Sequence, residues 1–435
     1  MSTRCEYSPR CRAGPVARIV QAMALLTLNA RPLTVLRAAA LFDGVSSSLI
    51  TEPSVVIAGG RVVAIHGPAE SFPADVVMVD LPGLTLMPGL VDPHLHLCFD
   101  ASDDPVGHLA GIDDNELRQR MADAARRALR AGVTTVRDLG DRGYLALDLR
   151  DRASDADPLP TIVAAGPPIT TPGGHCHFLG GAVSGIRGVR AAVRERAERG
   201  VDVIKVMASG GNLTPGFLPH EPQFGAEALR LIVDEAHRHG LPVTAHAHGA
   251  QSIVDAVTAG ADGIEHATFM TADGVDAPES VIRAIAERRT AMGWTVGREP
   301  GAHATLAPAA IASRMAGLIA TRRRLYQSGA LLVPGSDAGV SPAKPHDVLR
   351  FAPEDLAVAG MGPAEALWAM TSRAAQACGL GHRKGRIAAG FDADILAIDG
   401  DPLQDVAAIR KVRAVYAGGV LVTPVPGFQL SIGAQ

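Results

Sequence analysis

The alternation of apolar and polar positions changes rhythm twice along this chain. Around residues 34–83, short apolar runs are broken by Gly turns, as in "LTVLRAAALFDG", "SVVIAGGRVVAIHG" and "VVMVDLPG". These predict short β-strands. From residue 84 the apolar runs become continuous and alternate with longer amphipathic stretches. The first four are "LTLMPGLVDPHLHL" (84–97), "VTTVRDLG" (133–140), "LPTIVAAG" (159–166) and "VDVIKVMASG" (201–210). Four more follow: "LPVTAHAHG" (241–249), "ADGIEHAT" (261–268), "TAMGWTVG" (290–297) and "ALLVPGSDAG" (330–339). Uninterrupted apolar runs are what strands buried on both faces require, so they predict a parallel sheet covered by helices.

The intervening stretches supply those helices, "DNELRQRMADAARRALRAG" and "GAEALRLIVDEAHRHG" being the clearest. In the second, Leu229, Ile232, Val233 and Ala236 share one helical face, and Gly240 stands where a C-cap belongs. Eight such units predict an α/β fold, a (β/α)8 TIM barrel over residues 84–380 that ends in the helical segment "GPAEALWAMTSRAAQACGL". Beyond it, "KGRIAAGFDADILAIDGDP" and "VRAVYAGGVLVT" return to the strand rhythm. Residues 32–83 and 381–435 are therefore expected to form one β-sandwich built from both chain ends. Residues 1–31 hold arginines, then the short apolar stretch "ARIVQAMALLTLNA"; Cys, Pro and Glu precede it. They read as a disordered leader rather than an export signal.

Composition narrows the function classes. The chain of 435 residues is 47% hydrophobic and 20% charged, with a net charge of −4. That balance argues against nucleic acid or an anionic membrane as a partner. Aromatic residues make up only 4%, so the core is built from small aliphatics. The five cysteines, Cys5, Cys11, Cys98, Cys176 and Cys378, are scattered and odd in number. They form no disulfide framework, and a cytoplasmic setting follows. No apolar run reaches the length of a transmembrane helix.

The polar residues at the strand ends carry the chemistry, because a barrel enzyme works at the C-terminal ends of its strands. Those ends hold His94 and His96, Lys205, His246 and His248, His266 and Asp337. A lone strand-end histidine is usually a hydrogen-bonded structural residue. In "HLH", however, the period of two puts both imidazoles on one face, where they can chelate one ion. Lys205, inside "VIKVMASGG", is costly unless paired or neutral. A neutral amine there can react with carbon dioxide to give a carbamate, an anion able to bridge two metals.

Together "PGLVDPHLHL", "IKVMASGG", "VTAHAHG", "GIEHAT" and "PGSDAG" closely resemble the metal-dependent amidohydrolase superfamily. Within it they are similar to the imidazolonepropionase-like and prolidase-like branch, which includes dipeptidases and ochratoxin-type amidases. The resemblance runs from residue 34 to about 422. It implies two divalent ions, Zn2+ first with Mn2+ or Fe2+ as substitutes. His94 and His96 would hold the more buried ion, carboxylated Lys205 would bridge, and His246 and His266 would hold the second. Either histidine of "AHAH" fits the strand-five position; alignment with related barrels favours His246 and leaves His248 for substrate or oxyanion contact. Asp337 would bind the buried ion and act as general base toward a metal-bridged hydroxide.

Expected substrate contacts are His175, His248, His346 and Arg137, although Arg137 and Asp138 also read as a buried ion pair. His177 and Cys176 in "GGHCHFLG" read as a ligand-like decoy. His220, His237, His239, His303 and His382 read as surface residues. After strand seven, "AMGWTVGREPGAH" departs from the branch by placing Trp294 and Arg298 in what is expected to be a pocket loop. The implied function is hydrolysis of an amide or peptide bond in a dipeptide, a C-terminal peptide or an N-acyl amino acid. A modified peptide of secondary metabolism falls in that class. The alternatives are a cyclic-amide (imidazolone-like) or lactone hydrolase and a catalytically silent scaffold barrel; Lys205 speaks against the mononuclear deaminase and imidazolonepropionase pattern. The only partner implied is a small-molecule or peptide substrate, and oligomeric state, homo-oligomer or monomer, stays open.

Overall fold

The computed structural model describes residues 33–73, 76–301, 312–424 and 431–433. The leader reading of residues 1–31, with Cys5 and Cys11, and the surface reading of His303 lie outside them.

Five strands precede the barrel-like region: β1 (Thr34–Leu41), β2 (Ile50–Thr51), β3 (Ser54–Ala58), β4 (Arg61–His66) and β5 (Val77–Pro88). The eight continuous apolar runs each contain a strand. In chain order these are β6 (Leu90–Leu95), β7 (Val133–Asp138), β8 (Thr161–Ala164), β9 (Ile204–Met207), β10 (Val243–Gly249), β11 (Gly263–Met270), β12 (Ala291–Thr295) and β13 (Leu331–Gly335). Every residue of β6, β7, β9, β10 and β11 is buried, as strands covered on both faces must be.

All pairings among these eight are parallel. They make a three-stranded sheet β6-β7-β8 and a five-stranded sheet in the order β13-β12-β11-β10-β9. Backbone contacts join the two at both seams. Asp337 N donates to His94 O at 2.7 Å and His96 N to Ala338 O at 3.0 Å on one side. Ile169 N donates to Lys205 O, and Met207 N to Ile169 O, both at 2.8 Å on the other. With helices between successive strands, the arrangement is a TIM-barrel-like α/β fold.

The helices cover the outer strand faces. Asp113 caps helix Asp114–Arg130 by accepting from Asn115 N and Glu116 N, and the helix buries Leu117, Met121, Ala125, Ala128 and Leu129. Each large aliphatic among them contributes about 1.5–3 kcal/mol. Helix Ala226–Arg238 buries Leu229, Ile232, Val233 and Ala236; it closes at His239, with Gly240 following at φ +71°. The segment expected as a single helix near residue 370 is interrupted. Pro363–Trp368 and Ala374–Ala377 are α-helical, with a π turn over Ala369–Arg373 between them.

The chain ends meet in one sheet. Strands β14 (Ile395–Asp399), β15 (Val412–Ala417), β16 (Val420–Pro424) and β17 (Ser431–Gly433) join β1 to β5 in a nine-stranded sheet ordered β16-β15-β14-β5-β1-β3-β4. β17 pairs with β5 and β2 with β1. Leu36, Val55, Leu86, Ile395 and Tyr416 belong to its own apolar cluster. β5 ends at Pro88 and β6 begins at Leu90, so the sheet and the site share one continuous stretch of chain.

Candidate metal centre

The side chains at the C-terminal strand ends meet around one cavity of 430 Å³. His94, His96, Lys205, His246, His248, His266 and Asp337 all line it, with His175, Cys176, Met207 and Arg298. Two groups of donors stand out. The candidate ligand atoms of His94, His96 and Asp337 lie within 4.8 Å of one another, and so do those of His246, His248 and His266. Asp337 Oδ1 is 3.6 Å from His94 Nε2 and 3.7 Å from His96 Nε2. The rings of His94 and His266 are 5.0 Å apart, so the groups are neighbours.

Protein contacts on the far nitrogens decide which ring atoms face the cavity chemistry. His96 Nδ1 donates to Gly140 O at 3.1 Å and His248 Nδ1 to Thr268 Oγ1 at 3.0 Å, which leaves Nε2 as the open donor in each. In His246 the order is reversed: Nε2 donates to Gly210 O at 2.9 Å and Nδ1 is left. Two of these residues sit in strained backbone. His266 has φ +66° and Asp337 φ +56°, a left-handed conformation that side chains with a Cβ adopt at a cost.

Burial sets the charges. It pushes the imidazoles of His246 and His266 well below the ordinary histidine range, and His248 down to about 4. These rings are neutral, the state in which imidazole binds metal. Burial raises the Asp337 carboxyl, but His94, His96, Lys344 and Lys205 nearby together bring it below the ordinary carboxylate range. Burial brings the Lys205 amine down to about 8. Among the described residues no hydrogen bond leaves its Nζ, although only 1% of the residue is exposed. Neutral imidazoles, one carboxylate and an unbonded buried amine around one cavity fit divalent cations that favour nitrogen and oxygen ligands.

Two expected substrate contacts stand elsewhere. His346 does not line this cavity; its Nε2 donates to His96 O at 3.0 Å, and it faces a neighbouring cavity of 720 Å³. Arg137 lies beneath the site, and its expected partner Asp138 is corrected to Glu265, 2.9 Å from Nη2. Its Nε and Nη1 donate to Pro93 O and Ala377 O, so no edge is open to a substrate. Asp138 instead accepts from Leu97 N and Gly140 N. Trp294 is also corrected: it is buried on β12 under Arg322, whereas Arg298 does line the cavity. His175 lines the cavity, its ring 4.6 Å from that of His246. His177 is exposed, with Nδ1 donating to Gly174 O. His237, His239 and His382 are exposed and His220 is half-buried.

Sequence reasoning missed Glu265 and Asp92. Glu265 Oε2 is 2.9 Å from His94 Nδ1. Asp92 accepts from His94 N and Ser336 N, tying β6 to the segment after β13, and burial raises its carboxyl to about 6. A carboxylate inside a continuous apolar run was the available signal, because such a charge requires a buried partner.

The profile of the amidohydrolase family matches residues 85–422. The chain is similar to ochratoxinase from Aspergillus niger, 29% identical over 389 residues that cover 77% of this chain and 75% of that protein. It is also similar to imidazolonepropionase from Deinococcus deserti, 28% identical over 398 residues that cover 83% and 90% respectively. Among solved structures, a Xaa-Pro dipeptidase with methionine bound in its active site matches with a TM-score of 0.78 at 28% identity. That match covers 89% of this chain and 99% of the other.

Proposed function

Since this chain belongs to the amidohydrolase family and is a hydrolase acting on C–N bonds, we propose that it cleaves an amide or peptide bond with two divalent cations held in the strand-end cavity. The observation that carries this reading is the convergence of six potential ligands from five different strand ends on one buried cavity. His94, His96 and Asp337 would hold one ion, His246 and His266 the other, and Lys205, carboxylated, would bridge. At a pKa of about 8, roughly a tenth of the amine is neutral at pH 7 and open to carbon dioxide. Zn2+ suits this donor set best, with Mn2+ or Fe2+ as substitutes. Bound there, such cations supply an activated water at neutral pH and polarise a carbonyl.

The chain's own residues do the rest. Asp337, kept ionised by the histidines and lysines around it, accepts a proton and passes it to the leaving amine. His248, fixed through Thr268, contacts the scissile carbonyl oxygen, and His175 covers the substrate. The dipeptidase likeness supports a dipeptide, a C-terminal peptide or an N-acyl amino acid, including a modified peptide of secondary metabolism. A second reading, hydrolysis of a cyclic amide or a lactone, draws on the imidazolonepropionase likeness. A catalytically silent scaffold would have no use for buried ligands left unbonded. We further read residues 84–380 as a closed (β/α)8 barrel and residues 32–83 with 381–435 as a β-sandwich. The scattered cysteines support a cytoplasmic setting.

The test is a metal count joined to a substrate screen. About two ions per chain, with turnover on dipeptides or N-acyl amino acids, is expected. A single tightly held ion with activity only on cyclic amides or lactones would favour the second reading.

A further inference from the structure

Behind His94 lies a line of buried charge that the proposed chemistry does not use. Glu265 is 1% exposed and sits between three buried side chains. Its Oε1 accepts from Arg137 Nη2 at 2.9 Å and from Thr244 Oγ1 at 2.6 Å. Its Oε2 lies 2.9 Å from His94 Nδ1. The neighbouring strands make room for this line. A Cβ at Gly293 would collide with the Glu265 carboxylate, and one at Gly335 would lie 2.5 Å from His94 Cβ. Arg137 also reaches around to Pro93 O at 2.7 Å, the carbonyl just before His94. The ring and the backbone of His94 are thus held by one Arg–Glu pair.

Resting on the two-ion reading above, we infer that Glu265, braced by Arg137 and Thr244, is a positioning residue that sets the strength of the cation site at His94. A carboxylate on the Nδ1 side holds the proton on that nitrogen and keeps the Nε2 lone pair directed at the Asp337 side of the cavity. Its negative charge also makes the imidazole a stronger donor. Among the five strand-end histidines, the described contacts give only His94 a carboxylate on its second nitrogen. The other four meet carbonyl or hydroxyl oxygens there. An isolated buried carboxylate would be costly; Arg137 and Thr244 satisfy Oε1, while Oε2 has the ion-pair contact with His94 and no hydrogen bond.

The test is chelator competition on the full-length protein, with Zn2+ affinity and the visible absorption of the Co2+-loaded form as readouts. Glu265→Gln keeps the shape and removes the charge. It is expected to weaken one of the two ions by about 10–100-fold, the usual size of a lost outer partner. It should also shift the Co2+ bands of that site while the second ion is retained at wild-type strength. Unchanged affinity and bands in a folded Glu265→Gln protein overturn the inference. If that variant does not fold, Arg137→Lys decides, since it keeps the charge but loses the forked contacts. Weaker binding at the same site is expected, by a smaller factor than in Glu265→Gln, and wild-type affinity overturns the inference. A wild-type protein that binds no divalent cation would instead defeat the two-ion reading itself.

Discussion

The two donor groups of this cavity are built from similar side chains in different settings. At the β6 and β13 ends, His94 and His96 stand with the carboxylate of Asp337, and a second carboxylate, Glu265, lies behind. At the β10 and β11 ends, His246, His248 and His266 lean on Gly210 O and the hydroxyls of Thr268 and Thr295. Leaving aside Lys205, which the two groups would share, one group brings two carboxylates to the cavity and the other none. In a low-dielectric cavity that difference outweighs ring count, because charge–charge attraction rises steeply as water is excluded. On the two-ion reading, the same donor type would make a firmer site on one side and a more exchangeable one on the other.

The largest expected effect comes from emptying both groups. Full chelation should abolish turnover, and Zn2+ or Mn2+ should restore it; activity in fully depleted protein would end the metal reading. A graded chelator titration sharpens the comparison, with the ion at His246 and His266 leaving first. Release of both ions together, or of the His94 ion first, would break it. Next in size, Asp337→Asn should lower kcat by at least ~10²-fold, as loss of a general base does. A rate near wild type in that variant would put the base elsewhere.

The smallest effect is on stability. In the metal-free protein, burial holds His248 down to about 4 and His175 down to about 3, both below an unfolded value of about 6.5. Between those limits the unfolded chain binds more protons, so stability falls as pH drops from 6.5 toward 4. A melting temperature lower by on the order of 5 °C at pH 4.5 than at pH 7 is expected. A flat profile would show that these rings are not buried as neutral groups.

Much of this was legible in the chain. Continuous apolar runs gave the eight parallel strands, because burial on both faces leaves no room for polar alternation. The strand-end positions of His94, His96, Lys205, His246, His266 and Asp337 could be read for the same reason. Arg137 and His346 were harder, since a strand residue one position out of phase points away from the cavity, and periodicity does not show which carbonyl a side chain will meet. Trp294 was drawn into the loop by its neighbours in sequence, whereas its bulk belongs under the helix layer. The pairing of Glu265 with Arg137 spans 128 residues, and that with His94 spans more, which no local pattern records.

The left-handed backbone at His266 and Asp337 has a consequence for how such a chain ages. A glycine at either position would be more comfortable by about 1 kcal/mol, so two points of the cavity rim work against folding. A lineage selected only for robustness would drift toward glycine there and lose a donor with each step. Stabilising designs that score backbone comfort alone would make the same exchange. Histidine 266 and aspartate 337 endure only where something other than the fold is asking for them.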